Sequence, residues 1–78
     1  MKYPQIAKEN GIQGRVFVAF VVNQKGQVEQ VKVVRGVDPA LDREAVRVIS
    51  NLPAWKPGSQ RGKPVRVSFT VPINFQLN

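Results

Sequence analysis

The chain contains no cysteine and no histidine. The first absence removes disulfides, thiol catalysis and cysteine-bound metal together. It leaves the compartment open, because such a chain suits oxidising and reducing surroundings alike. The second removes the commonest general base, the usual neutral-pH switch and the commonest metal ligand. Carboxylates are scarce as well: Glu9, Glu29, Asp38, Asp42 and Glu44 are all there are. Asp38 is better explained as a helix cap, and Asp42 and Glu44 stand two apart on a helix, where side chains do not face one another. No pair able to serve as acid and base is visible. The glycines of Gly11–Gly14 and Gly58–Gly62 do not follow a strand and open a helix, as phosphate-cradling loops do. Neither catalysis nor a bound cofactor or metal is expected. No apolar run approaches the roughly 18 residues a membrane span needs, and the first residues are not a signal peptide. Any anchor or targeting segment is expected on a longer parent chain.

What remains is a basic, ordinarily hydrophobic sequence. Its 78 residues are 42% hydrophobic, which fits one small globular domain over residues 1–78. Lysine and arginine total 12 against 5 acidic residues, a net charge of +7. The cations are scattered, and only Arg61, Lys63 and Arg66 come close together. Such an excess is ordinary for a solvated surface, and it also suits nucleic acid, an anionic surface or an acidic peptide.

The most informative stretch is the last. From Val65 to Leu77 the odd positions are Val65, Val67, Phe69, Val71, Ile73, Phe75 and Leu77, separated by Arg66, Ser68, Thr70, Pro72, Asn74 and Gln76. Unbroken alternation means one long strand with a buried and a wet face. Pro72 cannot donate to a ladder, so this strand lies at a sheet edge or bends at a bulge.

Earlier, Tyr3–Gly11 predicts a short helix, with Pro4 at its first position, Gly11 as its left-handed stop, and Ile6 and Tyr3 packed on the body of the domain. Arg15–Val22 is a strand apolar on both faces, hence central. Asn23–Gly26 is turn sequence, and Gln27–Arg35 is a second strand in which Val28 is out of phase with Val31 and Val33. A bulge near Glu29-Gln30 reconciles them. Asp38 and Pro39 open a helix with a stripe of Leu41, Ala45, Val48 and Leu52, widened by Ile49, and Pro53 ends it. Pro53–Pro64 is a connection in which Trp55 caps the core and Ser59–Pro64 is the most mobile part. The fold class is α+β: α-β-β-α-β, a three-stranded antiparallel sheet in the order second, first, third, with two helices packed on one face.

Three functions fit this frame. An accessible edge strand can capture an extended peptide, because backbone pairs with backbone and needs no special side chain. Pro72 blunts that edge at one point and leaves Val65–Val71 unblocked. Alternatively, Phe17 on the second sheet face, flanked by Arg15, Lys32 and Arg66, could stack a base, as small αβ sheets that bind RNA do; one exposed aromatic is a thin platform. Finally, the edge can pair with a second copy, giving a homodimer.

The residues also carry a resemblance. Tyr3-Pro4, the Gly11-Ile-x-Gly-x-Val-x-Val-x-Phe-x-Val22 strand, Gly26-x-Val28, Val37-Asp-Pro-x-Leu-Asp-x-Glu-Ala45, Trp55-x-Pro-Gly58 and Val67-x-Phe-x-x-Pro-Ile-x-Phe75 together resemble the C-terminal domain of TonB-type energy transducers. No single motif is strong, but their order and spacing cover nearly the whole chain. The resemblance implies a periplasmic domain of an inner-membrane-anchored protein. It implies that the domain grips the TonB box of outer-membrane transporters by strand addition, here at Val65, Arg66, Val67, Ser68, Phe69, Thr70 and Val71. Contacts by the segment leading into Tyr3 and Pro4 are implied too. Inner-membrane proton-channel proteins, engaged through the parent chain, would supply the energy for uptake.

Overall fold

A computed structural model describes residues 2–53, 58–60 and 62–77. The elements are α1 (Gln5–Glu9), β1 (Gly14–Val22), β2 (Val28–Arg35), α2 (Pro39–Ser50), β3 (Gly58–Gln60), β4 (Lys63–Val65) and β5 (Val67–Phe75). The main sheet has the order β2-β1-β5 with both pairings antiparallel, as the hydrophobic patterns predict. β1 is central because it alone has apolar residues for both faces. Val16, Val18, Phe20 and Val22 are buried under the helices, and Val21 is buried on the other side. Phe20 stacks on its cross-strand partner Phe69, ring centroids 5.5 Å apart.

α2 supplies the other half of the core. The Asp38 side chain accepts from the Ala40 N–H at 3.0 Å, and Pro39 occupies the first turn, where its missing donor costs nothing. Its buried stripe is Leu41, Ala45 and Ile49, one residue per turn. Val48 and Leu52, expected in that stripe, are only half-buried, because residues four apart lie on one line and Val48 falls to its side. α2 lies over β1 and β2.

Several expectations fail in instructive ways. The first helix buries Ala7, whereas Ile6 is 62% exposed; so short a helix has one inward position, and the small residue takes it. Pro4 is its N-cap rather than its first helical residue, while Gly11 adopts the left-handed φ of 63°. The long final strand is interrupted at Arg66, so that β4 and β5 belong to different sheets. Ser59–Pro64, expected as loop, contributes to a β3–β4 hairpin with Gly58 opposite Val65 and Gln60 opposite Lys63. Gly62, in the turn that closes it, has the positive φ (76°) that such tight turns require. The predicted bulge is present: the β1–β2 register shifts between Ala19 and Val21, where Gln30 takes φ 53°. A second shift occurs between Phe17 and Val18. The expected core-capping position of Trp55 lies outside the described residues.

The β2–α2 corner yields a stability prediction. The Asp42 carboxylate accepts from the Val37 N–H at 3.0 Å, and a Cβ on Gly36 would sit 2.2 Å from Asp42 Oδ2. Gly36→Ala must therefore displace that carboxylate and lose the bond. The expected cost is about 1–3 kcal/mol in urea unfolding; an unchanged midpoint would show that the corner relaxes freely.

Candidate functional site

β5 is an edge strand with one side on β1 and no neighbour on the other among the described residues. Its register with β1 runs without a shift from Val22 opposite Val67 to Gly14 opposite Phe75, and it includes Phe17 opposite Pro72. A proline fits an unbroken ladder only where its nitrogen points away from the neighbouring strand. Pro72 thus fixes the direction of every residue in β5. Odd-numbered residues turn their N–H and C=O groups to β1, and Ser68, Thr70, Pro72 and Asn74 turn theirs to the open edge.

The side chains follow the same period. Val67, Phe69, Val71 and Ile73 are half-buried, whereas Ser68, Thr70, Pro72 and Asn74 are exposed. The partial exposure of the apolar row has a plain cause: β5 packs chiefly on β1, while α2 covers β1 and β2. The open backbone edge is therefore bordered on the helix side by a strip of incompletely covered valine and phenylalanine. On the opposite face a cleft of about 220 Å³ is lined by Ala19, Val21, Lys32, Ser68 and Thr70 among others.

The sheet's other edge differs. β2 is bulged at two places along its pairing with β1, and its exposed residues include Lys32 and Arg35. Bulges and charges are the usual devices that prevent a strand from accepting another. Of the two edges, only β5 has a regular backbone to offer.

The residues anticipated for the site are not all together. Val65 and Val67–Val71 form one continuous alternating edge, with Arg66 between them, and the Arg66 guanidinium is ion-paired with Glu29 across the end of β1. Tyr3 lies elsewhere. Its hydroxyl donates to the Ile12 carbonyl and its ring meets Phe75 edge-on at 5.7 Å. Phe75 is four positions past Val71, roughly 13 Å along the strand, so Tyr3 and Pro4 sit at the far end of β5. The base-stacking constellation assembles only in part: Lys32, opposite Ala19, shares a sheet face with Phe17 and Arg15, and Arg66 does not join them. Phe17 is half-buried opposite Pro72 and Arg15 lies near it opposite Asn74, but Arg66 is at the other end of the sheet, engaged with Glu29.

Residues 1–77 match the family model for the Gram-negative bacterial TonB protein C-terminal. The chain belongs to this family. Protein TonB of Vibrio cholerae is 33% identical over 97% of the chain, and Protein TonB of Helicobacter pylori is 30% identical over 97%. The chain spans 31% and 26% of the length of these two relatives. Two solution structures of the Helicobacter pylori TonB-CTD are similar in fold. One has a TM-score of 0.76 at 28% identity, covering 99% of this chain and 69% of that one; the other has 0.70 at 30%, covering 96% and 78%. The α+β class and strand order read from the pattern are thus those of a TonB C-terminal domain.

One element of this TonB domain escaped sequence reasoning. Glu44 Oε2 accepts from the Lys2 backbone N–H at 2.8 Å, and both carboxylate oxygens accept from Arg47 at 2.7 Å, tying the segment before Tyr3 to α2. The three-residue spacing of Glu44 and Arg47 suits a helical ion pair, whereas no local pattern points to the bond from Lys2. The Arg47 guanidinium, aided by the Lys2 N–H, holds the Glu44 carboxyl at about 2 instead of its ordinary 4.5. A depressed folded-state value means that the charged form stabilises the fold above about pH 4.5 and that this contribution disappears as the pH falls towards 2. Glu44→Gln should lower stability at neutral pH and flatten the acid limb over that window in pH-series urea titrations. Parallel acid limbs for both proteins would show that the cluster contributes nothing.

Proposed function

We propose that this is the periplasmic C-terminal domain of a TonB-type energy transducer, anchored in the inner membrane through its parent chain. It captures the TonB box of outer-membrane TonB-dependent transporters by strand addition at Val65, Arg66, Val67, Ser68, Phe69, Thr70 and Val71. Inner-membrane proton-channel partners act through the parent chain, and the docked strand transmits their work to the transporter for active uptake. The observation that carries this reading is the contrast between edges: β2 is bulged, whereas β5 has an unshifted register and an apolar strip beside it.

The physics suits a mechanical coupling. A docked strand supplies its own N–H and C=O groups to the edge, and its alternate side chains cover Val67, Phe69 and Val71. Load along the strand direction shears several hydrogen bonds at once. Each contributes only about 0.5–1.5 kcal/mol net, so the grip depends on their acting together. The net charge of +7 favours acidic residues on the captured segment. Tyr3 and Pro4, at the far end of β5, join the site through whatever segment leads into them. Without peptide, the same edge can take a second copy of the domain, so peptide and self-pairing compete.

Titration with a synthetic TonB-box peptide, followed by backbone amide shifts, tests this. Shifts should centre on Val65–Val71, and Ser68→Pro or Thr70→Pro should each weaken binding by about 2- to 10-fold while the domain stays folded, since those N–H groups point outward. Affinity should fall as salt rises. Shifts with an RNA oligomer at Arg15, Phe17 and Lys32, with none from the peptide along β5, would replace strand capture by nucleic-acid binding.

A further inference from the structure

We propose that Pro64 and Pro72 bracket the docking edge and fix the register of the captured strand, an inference that rests on the strand-capture reading. Pro64 lies in β4 opposite Ser59, between the pairs Gln60–Lys63 and Gly58–Val65. Like Pro72, it fits its ladder only with its nitrogen turned away from the partner strand. Although Arg66 separates the two sheets, side-chain exposure alternates straight through it: Pro64, Arg66 and Ser68 are exposed, and Val65 and Val67 are half-buried. From Lys63 to Phe75 an extended chain spans roughly 40 Å, and the molecule's long axis is 49 Å against 20 Å in the other directions. β4 and β5 thus form one nearly straight line, and the residues alternating with its apolar row share one side. Pro64, Arg66, Ser68, Thr70 and Pro72 all face the open edge.

The consequence is a window with closed ends. Between the prolines, outward N–H donors stand on Arg66, Ser68 and Thr70. At each end a pyrrolidine ring occupies the place where a donor would meet a partner carbonyl. A captured strand in register satisfies its carbonyls on those donors. If it slips by one repeat, one of its carbonyls faces a proline and goes unpaired, which is unfavourable beside a sheet edge. Side-chain alternation already forbids a slip of one residue, because that would turn the partner's apolar row to the wet face. The prolines remove the slip of two. They also make added length useless, since Asn74, the next outward donor, lies beyond Pro72.

Amide hydrogen exchange with two peptides tests the bracket: a TonB-box peptide, and the same peptide extended at both ends. Val67, Phe69 and Val71, bonded to β1, should be protected with or without peptide and report that each protein is folded. Either peptide should newly protect Arg66, Ser68 and Thr70, leave Asn74 exchanging freely, and bind with equal affinity. Pro72→Thr should raise affinity for the extended peptide about 2- to 10-fold and carry protection to Asn74, with the short peptide unchanged. Pro64→Thr should do the same at the other end. Protection of Asn74 in the unaltered protein, or proline variants that gain nothing from the longer peptide, would overturn the bracket while strand capture stands. Absence of new protection anywhere on Arg66–Asn74 would overturn both.

Discussion

The antiparallel ladder between β1 and β5 is the constraint on which the remaining structure depends. β1 must be central because Val16, Val18, Phe20 and Val22 need cover on one face while Phe17, Ala19 and Val21 need it on the other. Once β5 is fixed against it, the stack of Phe20 on Phe69 locks the register. A shift by one residue would send the whole apolar row of β5 into water. That lock decides which backbone groups remain unpaired. In a strand whose side chains and backbone groups alternate together, choosing the buried face also chooses the outward donors.

The proposed capture site arises from incomplete coverage. α2 lies over β1 and β2, which leaves the apolar row of β5 half-exposed beside a ladder with no further strand among the described residues. On the opposite edge, two bulges and surrounding charge close the sheet. A small domain cannot cover everything, since its surface is large relative to its volume. Here the uncovered portion lies next to the one strand regular enough to pair. Pro72 lets that strand keep its full ladder with β1 and still interrupts its outer side.

Much of this was legible because periodicity is strong where one face is buried. The alternation from Val65 to Phe75, the two-sided hydrophobicity of β1, the Asp38-Pro39 helix start and the out-of-phase Val28 each appear as predicted. The failures occur where local sequence carries little periodic signal. Gly58–Val65 is polar and carries Pro64, so its hairpin was legible only in the Gly62 turn. In α1, a helix of one and a half turns, nothing in the pattern chose Ala7 over Ile6. The ion pair of Arg66 with Glu29 joins residues 37 apart, and no spacing rule reaches that far.

The sequence by itself determined that the last strand exists, which of its faces is wet and that a proline stands within it, because strand geometry maps residue parity directly onto face. It also determined the family, through the order of several weak motifs. Only the tertiary structure decided that this edge strand keeps an unshifted register with β1, that it is interrupted at Arg66, and that Tyr3 sits at the far end from Val65. These depend on the exact register and placement of distant segments, to which local periodicity is blind.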